Sequence, residues 1–129
     1  MKNTWTGVGG KTNFEEDIHT SCCREIHEET GLEVTGLTLK GVVKTILHNA
    51  DSSWLLFVYT AKTENSNVKK CDEGTLSWVP IDDALSYNLI GFIRSLFPHI
   101  IDSTAFFEGT LVHNQQGDLI TSNIAVQHK

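Results

Sequence analysis

The fold class predicted for this chain is α/β in the broad sense (α+β), a single mixed sheet sandwiched between two main helices. Three features of the sequence predict it. An amphipathic stretch, NFEEDIHTSCCREIHEET, is closed by Gly31. Two runs rich in branched and aromatic residues follow, with the alternation of half-buried strands. A second helical segment, GFIRSLFPHII, then precedes two more strand-like runs joined by QQG.

The elements can be justified in chain order. TWTGVGGK is rich in small residues and reads as a strand end running into a tight loop. Asn13 and Glu16 stand at capping-box spacing, which predicts a helix start there, with Glu15 and Asp17 as solvated first-turn residues. Gly31 is placed to adopt the left-handed conformation just past the helix end. LEVTGLTLKGVVKTIL alternates apolar and polar residues, as one strand or a bent pair would. SSWLLFVYTAKT is a clearer strand. The polar loop ENSNVKKCDEG leads to a predicted short strand, TLSWVP, and IDDAL to a brief helix. GFIRSLFPHII is a second helix with Pro98 near its end. STAFFEGTLVHN and DLITSNIAV form a closing hairpin. No repeat or linker divides the chain, so residues 1–129 are expected to form one domain.

Composition narrows the function classes. With 40% apolar and 20% charged residues, the chain fits a soluble globular protein. A net charge of −6 argues against a nucleic-acid polymer as partner, because phosphate backbones favour basic surfaces. A phosphorylated small molecule is still admissible, since a divalent ion can supply the positive charge. Three cysteines, two of them adjacent, make no disulfide framework. No apolar run is long enough to span a bilayer, and MKNTWTG is not a signal peptide. The expectation is a cytoplasmic protein with no membrane partner.

The first helix carries the most informative pattern. At about 100° per residue, Ile18, Cys22, Glu25 and Glu29 fall on one stripe, with Ile26 on its flank and Glu28 to the other side. That face changes from apolar to carboxylate along its length. A solvated acidic helix end is one reading. However, like charges at helical spacing repel, and acids at a helix C-terminus oppose the macrodipole. A bound divalent cation removes both objections, since Mg²⁺ and Mn²⁺ take oxygen ligands and join carboxylates to phosphates. His19, Cys23 and His27 recur every four residues on the other face, but they make an incomplete zinc set. Cys22 reads as a small core residue.

The segment GGKTNFEEDIHTSCCREIHEETGL resembles the Nudix box, G-x5-E-x7-R-E-U-x-E-E-x-G-U, where U is a bulky aliphatic residue. Gly10, Glu16, Arg24, Glu25, Ile26, Glu28, Glu29, Gly31 and Leu32 fill its fixed positions, so the box spans residues 10–32. The resemblance implies a Nudix-like α/β/α sandwich that hydrolyses nucleoside diphosphates linked to another moiety. It implies Mg²⁺ (or Mn²⁺) as cofactor, with Glu25, Glu28 and Glu29 as metal-binding and catalytic carboxylates. Arg24 would orient one of them, and Glu16 would help fix the loop. The Gly9 carbonyl would be a backbone ligand, and Lys11 would touch a phosphate. Family members often draw a further carboxylate from a downstream loop. Glu73, in CDEGTLSW, is the candidate for an added ligand or base, with Asp72 second.

The resemblance extends over most of the chain. WTGVGGK, DEGTLSWVPID and FFEGTL look like the MutT-like branch that acts on oxidised purine nucleotides, the 8-oxo-dGTP diphosphatases, releasing a monophosphate and pyrophosphate. The proline expected after the box in ADP-ribose hydrolases is missing, since the prolines are Pro80 and Pro98. The tyrosine of diadenosine polyphosphate hydrolases is replaced by LHNA, and the NADH-hydrolase signature is lacking. Where the oxidised-purine branch has a base-reading asparagine after the loop tryptophan, this chain has Thr6. SYNLIGF offers no acidic base-reading pair, and Asn88 is the candidate amide in its place. The family also places more residues ahead of the glycine loop than the eight before Gly9, so the domain is expected to be N-terminally short. A truncated chain, a misplaced start and a homodimer that completes the sheet are the three readings of that shortness. A Nudix module that binds a nucleotide or protein without turnover is the alternative to an enzyme, and the complete glutamate set favours the enzyme.

Overall fold

The computed structural model describes residues 7–48, 51–64 and 76–128. Helix α1 spans Ile18–Thr30 and is followed by strands β1, Thr35–Leu47, and β2, Ser52–Lys62. A 3₁₀ helix, Ile81–Ser86, and helix α2, Gly91–Ile101, lead to β3, Ala105–His113, and β4, Leu119–His128. The four strands form one sheet in the order β2-β1-β3-β4. The β1–β2 and β3–β4 pairs are antiparallel and the β1–β3 pair is parallel, so the sheet is mixed, as expected.

Alternation along the strands decides which helix meets which face. Val43, Phe107 and Leu111 point to one side and close a fully buried cluster with Leu96 of α2. Leu56 and Val58 of β2 pack against the same cluster. Tyr59 therefore lies on the opposite face of β2. Its phenol is pushed above its ordinary pKa by burial first, then by Cys22 and Asp17 near the start of α1. The two helices thus lie on opposite faces, which makes the predicted α/β/α sandwich. LEVTGLTLKGVVKTIL is one strand, with register irregularities between Thr35 and Thr38 and between Leu39 and Gly41.

Two sequence expectations are corrected. The helix starts at Ile18, not at Asn13: residues 13–16 form a turn, closed by the Glu16 N–H donating to the Asn13 carbonyl at 3.1 Å. Asp17 is the N-cap and accepts from the Thr20 N–H at 2.7 Å. The Asn13 N–H does donate to Glu16 Oε1 at 3.3 Å, but that bond closes the turn, and the side chain that caps the helix is that of Asp17. The predicted strand TLSWVP also does not form over its described residues. Residues 76–80 carry no ladder, Trp78 is exposed, and Pro80, which has no N–H to donate, leads into the 3₁₀ helix.

Two expectations at the helix ends hold. Gly31 ends α1 in the left-handed region at φ 78°, its N–H donating to the His27 carbonyl at 2.8 Å. Pro98 sits in the last turns of α2. Arg94 ties the 3₁₀ helix to α2 by donating to the Leu85 and Tyr87 carbonyls at 2.9 and 2.6 Å.

Candidate active site

Arg24 is the hub of the charged end of α1. Its Nε donates to both oxygens of Glu16, at 3.1 and 2.9 Å, and Nη2 reaches Glu16 Oε1 at 2.9 Å. Nη1 donates to Glu25 Oε1 at 2.7 Å and to Glu28 Oε2 at 3.0 Å. Nη2 also donates to the Lys11 carbonyl at 3.0 Å, so one guanidinium joins the glycine loop, the turn before the helix and the helix itself. A planar fork suits this, because its donors keep a fixed geometry.

Electrostatics follow from that geometry. The Glu16 carboxyl is lowered to about 2, first by the Arg24 hydrogen bonds and next by the Ser21 hydroxyl. The Arg24 guanidinium is held further toward its charged form by Glu16 and then Glu25. The repulsion anticipated among these acids is therefore offset by an internal cation. Glu16 and Glu25 are largely shielded, with 14% and 18% of their side chains exposed, while Glu28 is 59% exposed.

The loop meets the helix through glycine. The Gly9 N–H donates to Glu29 Oε2 at 3.1 Å. A Cβ on Gly10 would overlap the Glu25 carboxylate, so the glycine leaves room for that carboxylate where Arg24 holds it. Beside Arg24 an open groove of about 450 Å³ runs between Thr20, Cys23 and His27 and residues 32–34.

Of the residues singled out in the sequence, Glu25, Glu28, Arg24 and Lys11 meet in one network, and Gly9 and Glu29 join through the loop contact. Arg24 holds two of the three glutamates rather than one. Gly9 meets the carboxylates through its N–H rather than its carbonyl. Asn88 is exposed between the 3₁₀ helix and α2. Thr6, Asp72 and Glu73 lie outside the described residues.

The face of α1 differs from the predicted stripe. Ile18 is 37% exposed, and the buried positions are the hydroxyl residues Ser21 and Thr30. Thr30 donates to the Ile26 carbonyl at 2.6 Å and accepts from the Leu32 N–H at 3.0 Å. Ser21 donates to Glu16 Oε1. Sequence reasoning passed over Ser21. The one available signal was a hydroxyl residue little more than a turn after Glu16.

The donor set suits a hard divalent cation, being carboxylate and backbone oxygens placed where glycine leaves room. Among the described residues no three His, Cys, Asp or Glu side chains already converge as a ligand group. The carboxylates are instead turned onto Arg24 and the Gly9 N–H. Among the described residues, no helix is long and apolar enough to cross a membrane.

Comparison with known proteins gives a consistent result. Residues 1–100 match the model of the NUDIX domain. YvcI of Bacillus subtilis (strain 168), described as an uncharacterized Nudix hydrolase, is 27% identical over 128 residues, spanning 96% of this chain and 81% of that protein. The crystal structure of a mutator MutT protein from Bacillus halodurans matches with a TM-score of 0.88 at 28% identity, covering 95% of this chain and 82% of that one.

Proposed function

The chain belongs to the NUDIX domain family and is a hydrolase of phosphoanhydride bonds, and from that premise we propose a Mg²⁺-dependent pyrophosphohydrolase of nucleoside triphosphates. The favoured substrate is an oxidised purine nucleotide such as 8-oxo-dGTP, split into the nucleoside monophosphate and pyrophosphate. The observation that carries this reading is the Arg24 network, which gathers Glu16, Glu25, Glu28 and the loop carbonyl of Lys11 at one end of α1.

Breaking a phosphoanhydride requires neutralised phosphate oxygens, an activated water and in-line geometry. Glu25, Glu28, Glu29 and the backbone of Gly9 would hold Mg²⁺, with Mn²⁺ as a substitute. When bound, the ion supplies charge neutralisation and a more acidic water. The protein's own groups do the rest. Arg24 fixes the directions of Glu25 and Glu28, Gly10 lets the loop close on Glu25, and Lys11 contacts a phosphate. A carboxylate not saturated by the ion takes the water's proton, and Glu73 is assigned as that base or as an added ligand. Thr6 and Asn88 are assigned to the base.

The same reading makes the protein cytoplasmic, with no membrane partner. A homodimer would extend the described sheet along the β2 or β4 edge. The substrate assignment is tested by chromatographic measurement of nucleoside monophosphate formation with Mg²⁺ from 8-oxo-dGTP, the unmodified triphosphates and ADP-ribose. The highest kcat/KM is expected for 8-oxo-dGTP. Preference for ADP-ribose would overturn the substrate class, and a folded protein that turns over none of them would overturn the catalytic reading.

A further inference from the structure

We propose that Ser21 is a positioning residue for the α1 carboxylates, acting through Glu16 and Arg24. The inference rests on the reading of α1 as the metal-binding helix, and it deepens that reading by adding a residue outside the glutamate set. Ser21 is 4% exposed, one of two buried positions on the helix. A buried hydroxyl needs a partner, and this one donates to Glu16 Oε1. Glu16 has few remaining freedoms: Oε1 also accepts from the Asn13 N–H at 3.3 Å, and both oxygens accept from Arg24.

The order of these contacts gives Ser21 its role. Ser21 holds the plane of the Glu16 carboxylate, and that plane receives Nε and Nη2 of Arg24. With those two nitrogens engaged, Nη1 is directed at Glu25 and Glu28. Without the hydroxyl, Glu16 keeps its charge and its bonds from Arg24 and the Asn13 N–H but loses its buried donor, so its last torsion, broad for a carboxylate, is held less tightly. Arg24 then loses its fixed register, and Glu25 and Glu28 lose the group that sets their directions. Outer partners of metal-binding groups act in this manner, by orienting the ligands rather than by touching the ion.

The test separates positioning from packing. Ser21→Ala, Ser21→Thr and wild type are compared by exchange of the Arg24 Nε–H with solvent, observed by ¹⁵N NMR on the metal-free protein. Mn²⁺ affinity is measured on the same samples by titration calorimetry, and thermal midpoints are recorded alongside. In Ser21→Ala the Nε–H exchanges faster and Mn²⁺ binds roughly tenfold more weakly, while Ser21→Thr, which keeps the hydroxyl, stays near wild type. In a Glu16→Gln background, Ser21→Ala produces no further loss of Mn²⁺ affinity. Unchanged Nε–H exchange in Ser21→Ala overturns the proposal. So does a lower thermal midpoint with Mn²⁺ affinity unaltered, since Ser21 would then only pack. Wild-type protein that binds no Mn²⁺ would instead remove the metal reading, and the exchange rates alone would still decide whether Ser21 positions Arg24.

Discussion

α2 meets the sheet through Leu96, which is fully buried against Val43, Phe107 and Leu111, with Phe92 and Ile100 packed around them. α1, on the other face, buries Ser21 and Thr30 and is braced by Arg24, Glu16, Glu25 and Glu28. One helix is fixed by close packing that has a single good arrangement. The other is fixed by directional bonds that can be exchanged for bonds to a cation or a phosphate. A phosphoanhydride hydrolase needs both: a scaffold that does not yield, and carboxylates whose partners can change when the substrate arrives. Burial on the α1 side therefore serves to orient charge more than to supply stability.

Breaking the apolar side should have the largest effect on stability. Phe107→Ala is expected to cost about 3–5 kcal/mol in denaturant unfolding, since the ring is wholly buried between sheet and helix. A cost near that of a surface substitution would mean the two faces do not differ as described.

Disturbing the polar side should move activity more than stability. Arg24→Lys keeps one charge but loses the fork that serves Glu16, Glu25 and Glu28 together. Turnover should fall by roughly tenfold or more, with a smaller thermal shift than in Phe107→Ala. Wild-type turnover would show that the fork does not organise the site.

The smallest effect sharpens the contrast through pH. Glu16 has its folded pKa lowered from 4.5 to about 2 by Arg24 and Ser21. Its stabilisation is thus fully present above pH 4.5 and is lost as pH falls from there toward 2. Thermal midpoints of wild type should drop more steeply over that interval than those of Glu16→Gln. Parallel curves would deny Glu16 its role as the acid-sensitive anchor of α1.

The apolar half of this comparison was largely legible in the sequence. Alternation in SSWLLFVYTAKT and AFFEGTLVH reported which residues share a face, because burial on a sheet imposes a period of two. Gly31 marked the end of α1 for a steric reason that neighbours do not change, whereas α2 runs past Pro98 to Ile101. The polar half was legible only as residue types at a spacing. Asn13 and Glu16 satisfy the capping-box pattern and make its N–H to carboxylate bond, yet that bond closes a turn, Glu16 also serves Arg24, and Asp17 caps the helix. Ser21 left only a weak trace, a hydroxyl residue little more than a turn after Glu16, because a serine on a helix says little until its acceptor is placed in space. TLSWVP had strand propensity, but residues 76–80 pair with no strand among the described residues, and tertiary context overrode it.

The central claim is that the carboxylates of α1 carry out metal-dependent hydrolysis of a nucleotide phosphoanhydride. It is tested most directly by pyrophosphate release from 8-oxo-dGTP with saturating Mg²⁺, comparing wild type with Glu29→Gln at matched folded fraction. Glu29→Gln should lower turnover by roughly 10²-fold or more while its thermal midpoint stays close to that of wild type. Turnover unchanged in a folded Glu29→Gln protein would remove the helix from the mechanism.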